Sequence, residues 1–208
     1  MHDRLDPIIA ISTAPGRGAV GVVRLSGKDL KSFGKELLKK PLKARQAQYL
    51  KILDNEDNLI DEVLFLYFES PKSYTGEDVI EIQGHGGAVV LQRIVQHCFD
   101  IAKSNDAETL KERLPNLRLA RPGEFSERAF LNNKIDLFQA EAIIDLIDAS
   151  TELAAKSASR SMSGAFSQEI NHLLEELTKA RIFIEAHIDF PEEELDDLDF
   201  QRVDQTLA

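Results

Sequence analysis

The spacing of apolar residues changes character close to Glu124, from strand-like runs with two helical stretches among them to helical spacing throughout, and no other feature limits the possible folds as strongly. Before that point, short β-branched runs are cut by turn residues, the signature of strands. "PIIAIST" reads as one strand and "AVGVVRLSG" as a second, stopped by a Ser-Gly pair. "YLKIL" and "LIDEVLFLYFES" flank the turn-rich "DNEDN", which predicts a hairpin. "DVIEIQ" sets Val79, Glu81 and Gln83 against Ile80 and Ile82, and "NLRLARP" supplies a short sixth strand. Two helices interrupt the series. One is "KDLKSFGKELLKK", with Leu30, Phe33, Leu37 and Leu38 at helical spacing and Pro41 ending it; the other runs from Ala88 to near Ala102 after the elbow "GHGG".

After Glu124, "EFSERAFLNNK" and "DLFQAEAIIDLIDAS" are helical, and so is the stretch from Thr151 to Phe190, rich in Ala, Leu, Glu and Lys. Met162, Phe166, Ile170, Leu173, Leu177, Ile184 and Ile188 recur on one face, which predicts a single long packing helix begun at Thr151 and Glu152 after Ser150 and ended by Pro191. In that reading "SMSGAFS" lies inside the helix. The remaining "PEEELDDLDFQRVDQTLA" is acidic first and then weakly helical. The expected architecture is an α+β domain over residues 1–120, a mixed sheet with helices, followed by an all-α helical domain over 121–208.

Charge follows the same division. Residues 1–118 carry 17 basic and 17 acidic side chains, so the whole formal charge of −11 belongs to residues 119–208. An acidic surface repels phosphate backbones, and composition gives no support for autonomous nucleic-acid binding. No stretch approaches the roughly 18 uninterrupted apolar residues of a membrane helix, so the chain is read as cytoplasmic, without a membrane partner. The single cysteine, Cys98, excludes an internal disulfide and a cysteine zinc cluster. It recurs with Val90, Ile94 and Ala102 at helical spacing, which predicts a buried thiol. His2, His97, His172 and His187 show no metal-binding spacing, and the acids of "DFPEEELDD" lack the calcium-loop pattern.

"APGRGAVGVVRLSG" places Gly16, Gly18 and Gly21 in the order G-x-G-x-x-G. A dinucleotide site requires strand, glycine loop and then helix, because the helix N-terminus holds the pyrophosphate. Here a strand-like run follows the glycines, and the acid expected about 20 residues further on would fall near Glu36, inside a helix. No G-x-x-x-x-G-K-[ST] phosphate loop occurs in the 208 residues. The glycines are read instead as a strand-to-strand turn that lets backbone approach closely. "QGHGG" has the look of an esterase oxyanion loop, but no G-x-S-x-G accompanies it, and His85 is kept either as a ligand contact or as a hydrogen-bonded turn residue.

"APGRGAVGVVRLSG", "SYTGEDVIEIQGHGG", "RPGEFSERAFLNNKIDLFQAEAIIDLIDAS" and "IDFPEEE" together resemble the MnmE (TrmE) family of tRNA modification GTPases, in the family's order and over most of the chain. The resemblance implies an N-terminal folate-binding domain related in fold to glycine-cleavage aminomethyltransferases, which also makes a homodimer. A helical domain follows, interrupted by a Ras-like GTPase domain. It implies addition of a carboxymethylaminomethyl group at C5 of the wobble uridine of certain tRNAs, with the flavoprotein MnmG (GidA), glycine or ammonium, and a tetrahydrofolate derivative (5-formyl or 5,10-methylene). GTP, magnesium and potassium serve the GTPase step. The chain stops before any phosphate loop and lacks the family's C-terminal Cys-Ile-Gly-Lys type motif, so it is read as an N-terminal fragment that should not hydrolyse GTP, with no catalytic or metal residue of its own.

Within the matching motifs, Arg24 of "VVRLSG", Glu81 of "VIEIQ" and Lys134 of "LNNKIDL" stand at the family's folate-contacting positions. The chemistry is apt: a pterin edge presents adjacent N–H donors to a carboxylate, and an anionic tail wants Arg or Lys. Glu81 is assigned to the pterin, and Arg24 and Lys134 to tail or formyl oxygens, in a pocket where the two parts of the chain meet. Arg121 and Glu124 of "RPGEFSER" are read as setting a helix start. Two alternatives stay open, a folate-dependent aminomethyltransferase-like enzyme and a dimerisation scaffold without ligand.

Overall fold

The computed structural model of the chain describes residues 5–54, 56–106 and 109–189. The chain divides into two compact units, Met1–Ile135 and Asp136–Ala208. The boundary falls later than the 120/121 division expected from composition, because the first helix of the Ala- and Glu-rich region is fastened by buried ion pairs to Arg118 in the sixth strand and to Glu77, the residue before the fifth.

The first unit is a six-stranded sheet. Its strands are β1 (Ile8–Ile11), β2 (Val20–Gly27), β3 (Gln48–Leu53), β4 (Leu59–Phe68), β5 (Asp78–His85) and β6 (Arg118–Leu119), in the order β3-β4-β5-β2-β1-β6. All neighbours are antiparallel except β1 and β6, so the sheet is mixed, as expected. The β3–β4 hairpin forms where "DNEDN" predicts it. Helices α1 (Lys31–Leu38) and α2 (Ala88–Lys103) cover one face. Phe33 and Leu37 of α1, Leu91, Ile94 and Cys98 of α2, and Val23, Leu25, Phe65, Ile80 and Ile82 of the strands form one buried cluster. Because strand side chains alternate, burying Val23 and Leu25 on this face turns Arg24 to the other. Cys98 is fully buried, and burial pushes its thiol up to about 12, which leaves it inert. Helix α3 (Glu124–Leu131) serves the opposite face.

The second unit contains α4 (Leu137–Asp148), α5 (Glu152–Met162) and α6 (Ala165–Asp189). The single helix expected from Thr151 onward is two. Gly164 adopts φ +85°, a left-handed conformation that breaks the helix within "SMSGAFS". Gln139 Nε2 also donates to the carbonyl of Met162 at 3.0 Å, satisfying one of the groups freed by the break. Helix α5 begins at the expected place, with Glu152 as its first residue and Thr151 as the cap, accepting from the Ala154 N–H. The apolar stripe of α6 is mostly exposed, with Leu173, Leu177 and Ile188 open to solvent. Pro191 and the acidic segment lie outside the described residues.

Asp136 starts α4 with a reciprocal cap: its side chain accepts from Gln139 N, and Gln139 returns the bond to Asp136 N. Asp136 Oδ2 also accepts from Ser167 Oγ at 2.6 Å, joining α4 to α6. Asp136→Ala is expected to cost the second unit about 1 to 2 kcal/mol. Loss of helical circular dichroism on heating would check it, and an unchanged melting curve would contradict the cap's role.

Candidate functional site

Arg24 and Glu81 are direct cross-strand neighbours in the β2–β5 ladder. Their register row runs from Leu66 through Glu81 and Arg24 to Ala10. Arg24 Nε donates to Glu81 Oε1 at 2.9 Å, and Nη2 lies 2.7 Å from the same oxygen. Both nitrogens therefore approach the same oxygen, with Nε as the hydrogen-bond donor, and Glu81 Oε2 has no hydrogen-bond partner among the described residues. The pair is partly open to solvent, with 30% of the Arg24 and 18% of the Glu81 side chain exposed. A carboxylate fixed through one oxygen, with the other free, is an acceptor for ligand N–H groups.

Helix α3 closes over this pair. The Arg24 guanidinium carbon lies 5.7 Å from the centroid of the half-buried Phe125 ring. The preceding residue, Glu124, is only 1% exposed yet charged. Arg118 grips it two-pronged, Nη1 to Oε2 at 2.9 Å and Nη2 to Oε1 at 2.7 Å, while the Arg121 N–H donates to Oε2 at 2.8 Å. Arg128, 4% exposed, adds Nη2 to Oε1 at 3.0 Å and reaches Glu77 through Nη1 at 2.9 Å. These bonds, Arg118's first, outweigh burial and hold the Glu124 carboxyl down to about 2. Glu77 in turn accepts from Ser26 Oγ at 2.8 Å, two residues along β2 from Arg24.

Lys134 lies in the first unit and bonds to neither Arg24 nor Glu81. It follows Asn133, which has φ +54°, and its Nζ donates to the Pro71 carbonyl at 3.0 Å. The loop it touches is joined to the same region by Asn132 Nδ2 on the Thr75 carbonyl, Tyr74 Oη bonded to Ser126 Oγ, and Thr75 Oγ1 bonded to Ser26 Oγ. The structure thus brings Arg24 and Glu81 into contact and links Lys134 to their region through this loop.

His85 ends β5 and has a specific partner. Its ring Nδ1 lies 2.6 Å from Asp61 Oδ1, and its backbone N–H donates to Asp61 Oδ2 at 2.8 Å. Burial would raise the Asp61 carboxyl, but the bonds from His85 and the Glu62 N–H prevail and hold it low, while Asp61 raises the His85 imidazole. Of the two sequence-based readings, the hydrogen-bonded residue is the one the geometry matches. The glycines of "APGRGAVG" lie in and after a strand-to-strand loop, as β2 and not a helix follows them. Among the described residues no cluster of His, Cys, Asp or Glu is arranged for a metal ion, and no helix is long and apolar enough to cross a membrane.

Sequence reasoning left Glu124 as a helix-start residue and passed over Phe125, Arg128 and Glu77. One signal was available, the i,i+4 spacing of Glu124 and Arg128. Their burial follows from Arg118 and Glu77 arriving from β6 and from the loop before β5.

Residues 7–134 match the family model described as GTP-binding protein TrmE N-terminus, and residues 137–208 match the MnmE helical domain. The tRNA modification GTPase MnmE of Paracidovorax citrulli (strain AAC00-1) is 59% identical over 191 residues, covering 92% of this chain and 40% of its own length. That of Leptothrix cholodnii is 55% identical over 199 residues, covering 96% and 41%. The protein of the same name from Herminiimonas arsenicoxydans is 51% identical over 197 residues, covering 93% and 40%. The chain spans about two fifths of the length of these relatives.

Proposed function

The chain belongs to the MnmE (TrmE) family of tRNA modification GTPases, and from that premise we propose that its first unit binds a reduced folate at the Arg24–Glu81 pair. One observation carries the reading: Arg24 meets Glu81 through Oε1 alone, so the carboxylate is anchored by one oxygen while Oε2 stays available to the donor edge of a pterin. Arg24 keeps Nη1 for an acceptor such as a formyl oxygen, and the exposed Lys134, bonded to the loop that Thr75 ties to Ser26, supplies a cation for the anionic tail. When bound, the folate supplies the one-carbon unit. The residues of this chain bind and orient it.

The same proposal assigns the chain to a cytoplasmic protein that works with the flavoprotein MnmG to add a carboxymethylaminomethyl group to the wobble uridine of tRNA. GTP hydrolysis, with magnesium and potassium, is placed outside these residues, which contain no phosphate loop. Homodimerisation is placed on the first unit. Val20, Tyr49 and Leu64, exposed by 61%, 53% and 44%, lie on the sheet face that carries Arg24 and offer apolar contacts to a second copy.

Calorimetry with 5-formyltetrahydrofolate tests the site. The wild-type chain is expected to bind, and Glu81→Ala to weaken binding roughly 10- to 100-fold, the worth of hydrogen bonds to a charged acceptor. Equal affinity in the variant would remove Glu81 from the site.

A further inference from the structure

Phe125 has a placement that the Arg24–Glu81 pair alone does not require. Its ring stands 5.7 Å from the Arg24 guanidinium and is half-buried, so one side rests on the cation while part remains open. Helix α3 has only eight residues, a length that is marginal by itself. It is fixed by the Glu124 carboxylate immediately before Phe125 and by Arg128 three residues after it, both almost fully buried. Through Glu77 and Ser26 this anchorage ends on β2, the strand that carries Arg24. The position of the ring over Arg24 is therefore set by a rigid ionic frame.

We propose that Phe125 is a ligand-contacting residue of this site, the stacking surface for a flat heteroaromatic head whose N–H edge is read by Glu81. The inference rests on the folate reading and goes beyond it by naming the group that selects the ring. A partly exposed carboxylate gains little from hydrogen bonds that water also offers. An aromatic face beside it excludes that water and adds apolar burial and stacking, which a carboxylate tail alone cannot exploit. Arg24, paired to Glu81 and stacked on Phe125, ties the two recognition elements together.

The test compares 5-formyltetrahydrofolate, a tail-less reduced pterin and p-aminobenzoylglutamate by calorimetry on the whole chain. Phe125→Leu is expected to weaken the folate and the pterin by roughly tenfold while leaving p-aminobenzoylglutamate within twofold, and Phe125→Tyr to restore the folate to near wild-type affinity. A merely structural role would weaken all three probes together and would overturn the proposal, as would a Phe125→Leu variant that binds the folate like wild type. That last result would leave the folate reading standing, whereas a wild-type chain that binds none of the probes would remove both. A measurement independent of variant folding is a magnetisation-transfer contact between Phe125 ring protons and the bound pterin of the wild-type complex. Its absence, with the ligand bound, refutes the stacking role.

Discussion

Glu124→Gln unfolds the first unit at a markedly lower urea concentration than wild type, with a loss of about 3 kcal/mol at neutral pH. The wild-type carboxylate receives Arg118 through both oxygens, Arg128 through one and the Arg121 N–H through the other. An amide of the same shape cannot neutralise two guanidinium groups, and its NH2 faces donors with a donor. The effect depends on pH with a definite sign. Because the folded carboxyl sits at about 2, below the ordinary 4.5, its contribution is complete above about pH 4.5 and is lost as pH falls toward 2. The gap between wild type and Glu124→Gln should therefore be widest at neutral pH and narrow steadily below pH 4.5. Tyrosine fluorescence reads this unit alone, since Tyr49, Tyr67 and Tyr74 all lie in it and the chain has no tryptophan. A gap that stays constant between pH 7 and pH 3 would mean that the buried ion cluster does not hold α3.

The same cluster marks where sequence reasoning reaches its limit. Strands were legible because one face of the sheet is buried, and burial imposes a period of two on Val23 and Leu25 or Ile80 and Ile82. The alternation also identified Glu81 as a polar-face residue, which the structure pairs with Arg24. Their contact depends on register between strands 57 residues apart, which no local pattern encodes. The folate assignment came from the family motifs, and the geometry adds the convergence on Oε1. Helix α3 looked like part of the helical region because composition reports propensity; its allegiance is decided by Arg118 on β6 and Glu77 just before β5. The α5–α6 break was missed for a related reason. One glycine in a helical pattern costs only about 1 kcal/mol, and the support for the break comes from Gln139, outside the pattern.

Gly86→Ala is expected to destabilise the first unit by about 3 kcal/mol, near the upper range for overpacking, because nothing around Gly86 can yield cheaply. A Cβ there would stand 2.5 Å from the Gly18 carbonyl oxygen, 2.8 Å from that of Val20 and 2.9 Å from the Gly18 carbonyl carbon, all of them backbone. To admit a methyl group, either the loop into β2 or the elbow into α2 must move. The elbow is constrained in turn, since Leu91 of α2 fills the space above Gly21, where a Cβ would come within 2.6 Å of its side chain. Gly87 provides the contrast: a Cβ there meets only Val90 Cγ2 at 3.7 Å, and its replacement by alanine should cost less than about 1 kcal/mol, the difference between the two residues at an N-cap. Urea midpoints of the two variants, followed by tyrosine fluorescence, separate the cases, and equal midpoints would show that the contact is loose. The expected difference assigns Gly18, Gly21 and Gly86 a common purpose that needs no nucleotide. They let the entry to β2 and the exit of β5 pack backbone to backbone, and so hold in register the two strands on which Arg24 meets Glu81.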